Sequence, residues 1–156
     1  ALAQAQLAFD VGEVPVGAVV VQDGQVIGRG YNKPITSLDP SAHAEVVALR
    51  DAALNIGNYR LSGATIYVTV EPCTMCSGLL VHSRIDRLVY GTTEPKSGVI
   101  ESAMCLLDQP FYNHRIEITG GVLAQAASSL MSDFFTMRRE EKKKLKQANG
   151  NTQKNE

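Results

Sequence analysis

The sequence predicts an α/β fold, a three-layer α/β/α domain with a central mixed five-stranded sheet. Strand-like segments alternate with segments whose apolar residues recur at helical spacing, as in sheets that helices cover on both faces. Asp23-Gly24 separates the first two strand-like segments and indicates a hairpin, which makes the sheet mixed instead of fully parallel. The length of 156 residues, 44% of them hydrophobic and 20% charged, is typical of one globular domain.

Two helices and three strands are predicted in the first half of the chain. Leu2, Ala5 and Phe9 recur at the spacing of one helix face. Asp39-Pro40-Ser41 indicates the start of a second helix, which closes near Gly57. In chain order we expect a helix over residues 1–10, strands over 14–21 and 26–31, a loop over 32–40, a helix over 42–54 and a strand over 64–70.

The second half of the chain continues the alternation. Pro72 ends the third strand and fits the first turn of the next helix, where its missing N–H costs nothing. The expected elements are a helix over residues 73–82, a strand over 86–90, a loop over 91–98, a short helix over 102–107, a strand over 115–119 and a final helix that follows Gly121. Residues 1–147 are thus predicted to form a single domain, and the polar residues 148–156 a frayed tail.

Charge and cysteine content narrow the class of protein. The formal net charge of −1 argues against indiscriminate binding to nucleic acid, although residues 138–146 carry six basic and two acidic side chains. That run fits a solvated helix end or a stripe that attracts phosphates. No apolar run approaches the ~20 residues of a membrane-spanning helix, and the first residues do not resemble a signal peptide. Three cysteines, an odd number, favour a reducing compartment, so we expect a cytoplasmic protein.

Residues that can bind a metal are concentrated at two predicted helix starts. His43 belongs to the first, and Cys73 and Cys76 belong to the second. Cysteines at i and i+3 lie on one helix face, and a helix N-terminus favours their thiolate forms. A structural zinc site needs four protein ligands, and the remaining thiol, Cys105, lies in an apolar stretch where we expect it to be buried and inert.

Three protein ligands with an open fourth position are typical of catalytic zinc, which lowers the pKa of a bound water. Glu45, two residues from His43, is the natural carrier of the proton. Residues two apart lie on nearly opposite faces in mid-helix, so both can serve one site only at the mouth of the helix. The alternative is a core histidine beside an exposed glutamate.

The pattern His-x-Glu followed by Pro-Cys-x-x-Cys is that of the zinc nucleoside and nucleobase deaminases. Further segments resemble those of the bacterial tRNA-specific adenosine deaminases in the same order, among them EVPVGAVV, SAHAEVVALR, ATIYVTVEPCTMC, HSRIDRLVYG and LMSDFFTMRR. The resemblance extends from about Glu13 to Arg139 and is far more specific than the zinc motif alone.

This resemblance implies a cytidine deaminase-like fold, one Zn²⁺ per subunit and a homodimer that converts the wobble adenosine of a tRNA anticodon loop to inosine. It implies that Val14, Asn32 and the backbone of Ala44 hold the base. It also places near the flanking nucleotides Glu94, Lys96, Asn113, Phe134, Phe135 and Arg138. Aromatic residues stack on unpaired bases, but Phe134 and Phe135 equally fit a helix face that packs on the core.

The chain departs from the family pattern at two positions near the predicted site. Glu94 stands where the family usually has Asp, and Glu101 stands where we expect Gly. Two alternatives stay open at this point. One is a deaminase of free cytosine, cytidine or guanine, which shares the zinc chemistry; the other is a zinc-stabilised RNA-binding module without turnover.

Overall fold

A computed structural model describes the backbone of residues 1–152 and the side chains of residues 1–148. Its five strands form one sheet in the order β2-β1-β3-β4-β5. The strands are β1 (Gly17–Gln22), β2 (Gln25–Tyr31), β3 (Thr65–Val70), β4 (Arg87–Thr92) and β5 (Glu117–Thr119). β1 pairs antiparallel with β2 and β3, whereas β3, β4 and β5 are parallel to one another. The mixed five-stranded sheet predicted from the sequence is therefore confirmed.

Helices cover both faces of this sheet. They are α1 (Leu2–Asp10), α2 (Pro34–Ser37), α3 (Ala44–Ile56), α4 (Thr74–His82) and α5 (Ala124–Thr152), and a 3₁₀ turn spans Leu106–Asp108. α3 and α4 pack on the face that carries Ile66 and Leu88, where the main apolar core lies. α1 and α5 pack on the opposite face, which completes the predicted three layers.

Glycines in β2 bring α3 unusually close to the sheet. A Cβ atom at Gly28 or Gly30 would overlap the backbone of α3. Ala44 and Ala48 of α3, both fully buried, continue this close contact. Small residues on both sides thus fix α3, and with it the residues at its N-terminus, against the end of β2.

Several predicted boundaries shift for physical reasons. β1 starts at Gly17 instead of residue 14, because Pro15 has no N–H to donate to a neighbouring strand. The predicted loop over 32–40 contains the short helix α2, whose first residue is Pro34. β4 continues to Thr92, two residues beyond its predicted end.

The predicted short helix over residues 102–107 is wrong, since only the 3₁₀ turn Leu106–Asp108 forms there. The N–H groups of Ile100, Glu101 and Ser102 all point to a single carboxylate, so the chain turns instead of starting a helix. Cys105 is exposed as a result, and the expectation that it is buried is also wrong.

The C-terminal part is more helical than expected. α5 continues through Thr152, whereas the sequence predicts a frayed tail from residue 148. Residues 153–156 of that tail lie outside the described residues. Among the helices that the structure describes, none is both long and apolar enough to cross a membrane.

Candidate metal and active site

Four chain segments meet at one edge of the sheet. β3 and β4 are parallel, so their carboxyl ends lie side by side at Val70 and Thr92. β1 runs antiparallel to β3, which brings its first residue, Gly17, and the end of β2 to the same edge. The chain therefore places Asn32 after β2 and Cys73 shortly after β3 within one small region.

The metal-binding residues lie at the N-termini of two helices. His43 is the N-cap of α3 and Cys73 is the N-cap of α4, both with extended backbone angles. His43 Nδ1 lies 3.6 Å from Cys73 Sγ and 3.6 Å from Cys76 Sγ. All three possible ligand atoms lie within 4.8 Å of one another.

These distances fit a zinc ion. In a tetrahedral site with bonds of about 2.0–2.1 Å to nitrogen and 2.3 Å to sulfur, the two ligand atoms are about 3.5–3.6 Å apart. The nitrogen-to-sulfur separations of 3.6 Å match this value. Two sulfurs and one imidazole nitrogen are also a donor set that zinc prefers, and the group leaves a fourth position for water or substrate.

The thiols already differ in their protonation. Cys73 accepts a hydrogen bond from the Cys76 thiol, and this bond, with the nearby His43 ring, outweighs burial and lowers the pKa of Cys73 to about 4. The same partnership raises the pKa of Cys76, because its proton is held between the two sulfurs. Binding a metal at both sulfurs must therefore release a proton from Cys76.

The N-terminus of α3 positions Glu45. It is the second residue of the helix and 3% exposed, and its side chain lines the same cavity as His43. The two residues face one site because His43 is the extended N-cap and is not yet part of the helical turn. Burial raises the pKa of Glu45 to about 7, and a carboxyl group with such a pKa exchanges protons readily near neutral pH.

A cavity of about 240 Å³ opens beside the three ligands and Glu45. Three of the predicted base-binding and flanking residues line it: Val14, Asn32 and Glu94. Ala44 is the first residue of α3, so its N–H has no acceptor within the helix. Sequence reasoning missed five further lining residues, namely Val16, Val70, Glu71, Ser97 and Met131.

The other predicted contact residues lie outside this cavity. Phe134 is 3% exposed and packs edge-on against Phe9, with ring centres 5.6 Å apart, so it belongs to the core. Asn113 accepts a hydrogen bond from Arg84 at 2.9 Å, and Arg138 pairs with Glu141 at 3.1 Å. Lys96 is exposed on the loop after Glu94, to whose carboxylate its N–H donates at 3.0 Å.

Phe135 lines a second, adjoining cavity of about 300 Å³. It is 43% exposed and shares this cavity with Arg139 and with hydroxyl groups that include those of Ser132 and Thr136. Glu94 borders both cavities, so the second one continues directly from the first. The two phenylalanines of α5 therefore have different environments, one apolar and one open beside the site.

Glu71 lies immediately after β3 and is 3% exposed. Burial opposes its ionisation, but hydrogen bonds from Glu101, Ser102 and Glu94 outweigh burial and lower the pKa of Glu71 to about 2. The side chain is therefore a carboxylate although it is buried. The only signal in the sequence is the Glu-Pro pair before the first cysteine, which predicts a strand end and not the role of the carboxylate.

A larger apolar cavity of about 460 Å³ lies on the other face of the sheet. Its walls come from β-strand residues such as Val19 and Val89 and from helix-flanking residues such as Leu2 and Leu123. Its lining includes neither the cysteines nor the carboxylates described above, so the metal-binding group and Glu45 belong to the smaller cavity alone among the two.

Comparisons with known proteins agree with this site. Residues 1–139 match the sequence profile of the MafB19-like deaminases. The tRNA-specific adenosine deaminase of Haemophilus influenzae is 53% identical over 144 residues, which cover 92% of this chain and 83% of that protein. A structure solved in a study of A-to-I editing by tRNA:A34 deaminases matches with a TM-score of 0.81 and 41% identity, over 83% of this chain and 94% of the other.

A guanine deaminase from Bacillus subtilis matches with a TM-score of 0.59 and 31% identity, over 85% of this chain and 87% of that structure. This likeness is weaker in both sequence and structure than that to the tRNA deaminases. The chain therefore belongs to the MafB19-like deaminase family, together with the tRNA-specific adenosine deaminases.

Proposed function

We propose that the protein catalyses the hydrolytic deamination of the adenosine at the wobble position of a tRNA anticodon loop, which gives inosine. The observation that carries this proposal is the open three-ligand set of His43, Cys73 and Cys76, which faces a cavity that also contains the buried Glu45. The substrate assignment is supported by the 53% identity to a tRNA-specific adenosine deaminase. A zinc-stabilised binding module would require neither the open position nor Glu45.

The reaction consumes one water and releases one ammonia, so that the C6 amino group of adenine is replaced by a carbonyl. Zinc held by the two cysteines and the histidine supplies Lewis-acid activation of water near neutral pH. Glu45 accepts the proton that the attacking water loses and donates it to the departing amino group. Its burial beside His43 keeps this proton transfer away from bulk solvent.

The cavity walls select and orient the base. The Asn32 side chain is 9% exposed and offers both a donor and an acceptor, which suits the paired donor and acceptor edges of adenine. Val14, Val16 and Met131 provide apolar surface for the faces of the ring. The unpaired N–H of Ala44 at the start of α3 is a further donor toward the base.

The adjoining cavity is suited to a nucleotide that flanks the target base. Phe135 provides a stacking surface, and Arg139 a positive charge for phosphate. Lys96 and Arg138 are exposed basic residues next in sequence to cavity-lining residues, and Arg138 pairs with Glu141. Asn113, on the loop that precedes β5, accepts a hydrogen bond from Arg84. We propose that these residues contact the anticodon loop, with Phe134 acting only through the packing of α5.

We also propose a homodimer, which rests on the family resemblance, and a cytoplasmic location, which rests on the cysteine content and on the proposed tRNA substrate. Exposed apolar side chains such as Met104, 51% exposed, and Phe111, 70% exposed, are available for contact with a second subunit. Sedimentation velocity of the zinc-loaded protein measures the oligomeric state directly. A single species with the mass of one chain over a range of concentrations contradicts the dimer.

The test of the proposed function is incubation of the zinc-loaded protein with an anticodon stem-loop that carries adenosine at the wobble position. Inosine is expected at that position alone, and free adenosine, cytidine, cytosine and guanine are expected to release no comparable ammonia. Ammonia from a free base without inosine in the stem-loop would favour the alternative, a deaminase of free bases or nucleosides.

Glu45→Gln distinguishes an enzyme from a binding module. We expect kcat to fall roughly 10²–10⁴-fold while zinc content and stem-loop affinity are retained, since Gln keeps the shape of Glu45 but cannot carry the proton. Glu117→Gln on β5, whose carboxylate pairs with Arg87 at 3.5 Å near the surface, is the matched control. Full turnover by the Glu45 variant contradicts the assigned role.

A further inference from the structure

The loop that forms one wall of the active-site cavity makes most of its hydrogen bonds to the rest of the protein through a single side chain, that of Glu71. This wall loop comprises residues 94–102 and follows β4. Glu94 and Ser97 from the wall loop line the same cavity as His43. Its start and its end both bond to the carboxylate of Glu71, which follows β3 and lies two residues before Cys73.

The bonds divide between the two carboxylate oxygens. Oε2 of Glu71 accepts the N–H of Glu94 at 2.9 Å and the hydroxyl of Ser102. Oε1 accepts the N–H groups of Ile100 at 3.0 Å, Glu101 at 2.8 Å and Ser102 at 3.0 Å. One buried carboxylate therefore fixes the first residue and the last three residues of the wall loop.

The charge of Glu71 is compensated by these donors. The ion pairs found among the described residues all involve other side chains, so hydrogen bonds from the wall loop balance the buried charge. Bonds from N–H groups to an ionised carboxylate are about twice as strong as neutral ones. The contact is also close, because a Cβ atom at Gly98 would overlap the Glu71 carboxylate.

Backbone hydrogen bonds also hold the residues between Glu71 and the metal ligand Cys73. The N–H of Glu71 donates to Thr92 at 2.9 Å, and the carbonyl of Pro72 accepts the N–H of Val99 at 3.0 Å. Cys73 follows as the N-cap of α4. The segment that holds a metal ligand and the wall that faces it are thus connected over three consecutive residues, 71–73.

We propose that Glu71 is a positioning residue that sets the distance between the metal ligands and the Glu94–Ser97 wall, and thereby the affinity for the RNA substrate. Glu71 acts through the wall loop and not on the reacting atoms, since its two oxygens are occupied by loop donors. The role in RNA affinity rests on the proposed function, whereas the attachment of the wall loop does not.

The test compares Glu71→Gln with the native enzyme and with Glu117→Gln. Gln retains one acceptor oxygen and directs an NH₂ group at N–H donors, so part of the wall loop is released. We expect KM for the anticodon stem-loop to rise about tenfold while kcat changes less than about threefold, with zinc content unchanged. Amide hydrogen exchange at residues 100–102 should accelerate by about tenfold or more.

A double substitution distinguishes positioning of Glu94 by Glu71 from a purely structural role of Glu71. If Glu71 acts by placing Glu94, then Glu71→Gln should raise KM much less in a Glu94→Ala background than in the native one. Additive effects on KM, an unchanged KM, or a loss of zinc would overturn the proposal. Gly98→Ala is the second variant, in case Glu71→Gln does not fold; it forces the wall loop away from an intact Glu71 and should raise KM in the same direction.

The readouts separate this proposal from the proposed function. If the native protein forms no inosine in the stem-loop, the proposed function fails, and hydrogen exchange still decides whether Glu71 holds the wall loop. Unchanged exchange at residues 100–102 in Glu71→Gln overturns the attachment, whatever the substrate is.

Discussion

The metal site and the wall that faces it are built in different ways. The three ligands and Glu45 lie within the first turns of two helices, so short sequence spacings largely determine their geometry. The wall loop at residues 94–102 has no regular structure and is held mainly by the carboxylate of Glu71, which lies at the end of another strand. The metal-binding motifs are thus encoded locally, whereas the cavity wall beside them, proposed above to contact the substrate, is assembled from distant parts of the chain.

Of the changes predicted here, removal of a metal ligand should have the largest effect on zinc content and activity. Cys76→Ala leaves two protein ligands, so we expect loss of bound zinc and of measurable deamination, because three ligands are needed to hold the catalytic ion. Zinc content by atomic absorption and inosine formation are the measurements. Cys105→Ala is the matched control, since this thiol is exposed and lies outside the metal-binding group. Zinc retained by the Cys76 variant, or lost from the Cys105 variant, contradicts the assignment.

The same contrast explains what the sequence could predict. The order of helices and strands along the chain and the three layers follow from apolar periodicity, and His43, Cys73 and Cys76 follow from spacing at helix starts. Val14, Asn32 and Glu94 were expected at the cavity only through family resemblance. Such positions carry no local pattern, because they meet only when the ends of separate strands come together at one edge.

The errors concentrate in the region that depends on tertiary contacts. The segment around Cys105 has an apolar, helix-like sequence, yet the carboxylate of Glu71 captures the N–H groups just before it. A long-range bond thus overrides local propensity, which is the usual reason that short elements are misassigned. Ser97 and Met131 were missed for a different reason: they are far apart in the sequence and come together only at the folded cavity.

Adjacent phenylalanines on α5 give the next largest expected effect. Phe134→Ala should lower the free energy of unfolding by about 3–5 kcal/mol, because it empties a packed site against Phe9. Phe135→Ala should change stability little, as this ring is 43% exposed, but should raise KM for the stem-loop through lost stacking. Chemical denaturation and steady-state kinetics separate the two variants. Equal effects on KM without a stability difference would contradict their separate roles.

Substitution of the glycines that α3 packs against tests how much this close packing contributes to the stability of the protein. Gly30→Ala places a methyl group against the backbone of Ala44 and Ala48, so we expect a loss of about 1–3 kcal/mol in the free energy of unfolding. Gly78→Ala in α4 meets open space and should be neutral or stabilising by up to about 1 kcal/mol. Thermal unfolding of both zinc-loaded variants measures the difference. A more stable Gly30 variant would show that α3 does not need this close approach.

The smallest expected effect concerns the turn that leads into α3. Asp39 Oδ1 accepts the Ser41 hydroxyl at 2.7 Å and its N–H at 2.9 Å, and these bonds hold the pKa of Asp39 below its ordinary value of 3.8. A depressed folded-state pKa means that the contribution to stability is present above pH 3.8 and is lost as the pH falls through the folded value.

Asp39→Asn should therefore lower the unfolding midpoint slightly at neutral pH, and the gap from the native protein should close under acid conditions. Zinc is released from both proteins in acid, so its effect on the unfolding midpoint cancels when the two proteins are compared at the same pH. Arg50 pairs with Asp39 at 3.6 Å at the surface, so high salt should remove only the smaller part of the gap. A gap that persists unchanged in acid would mean that the charge of Asp39 does not stabilise the turn before His43.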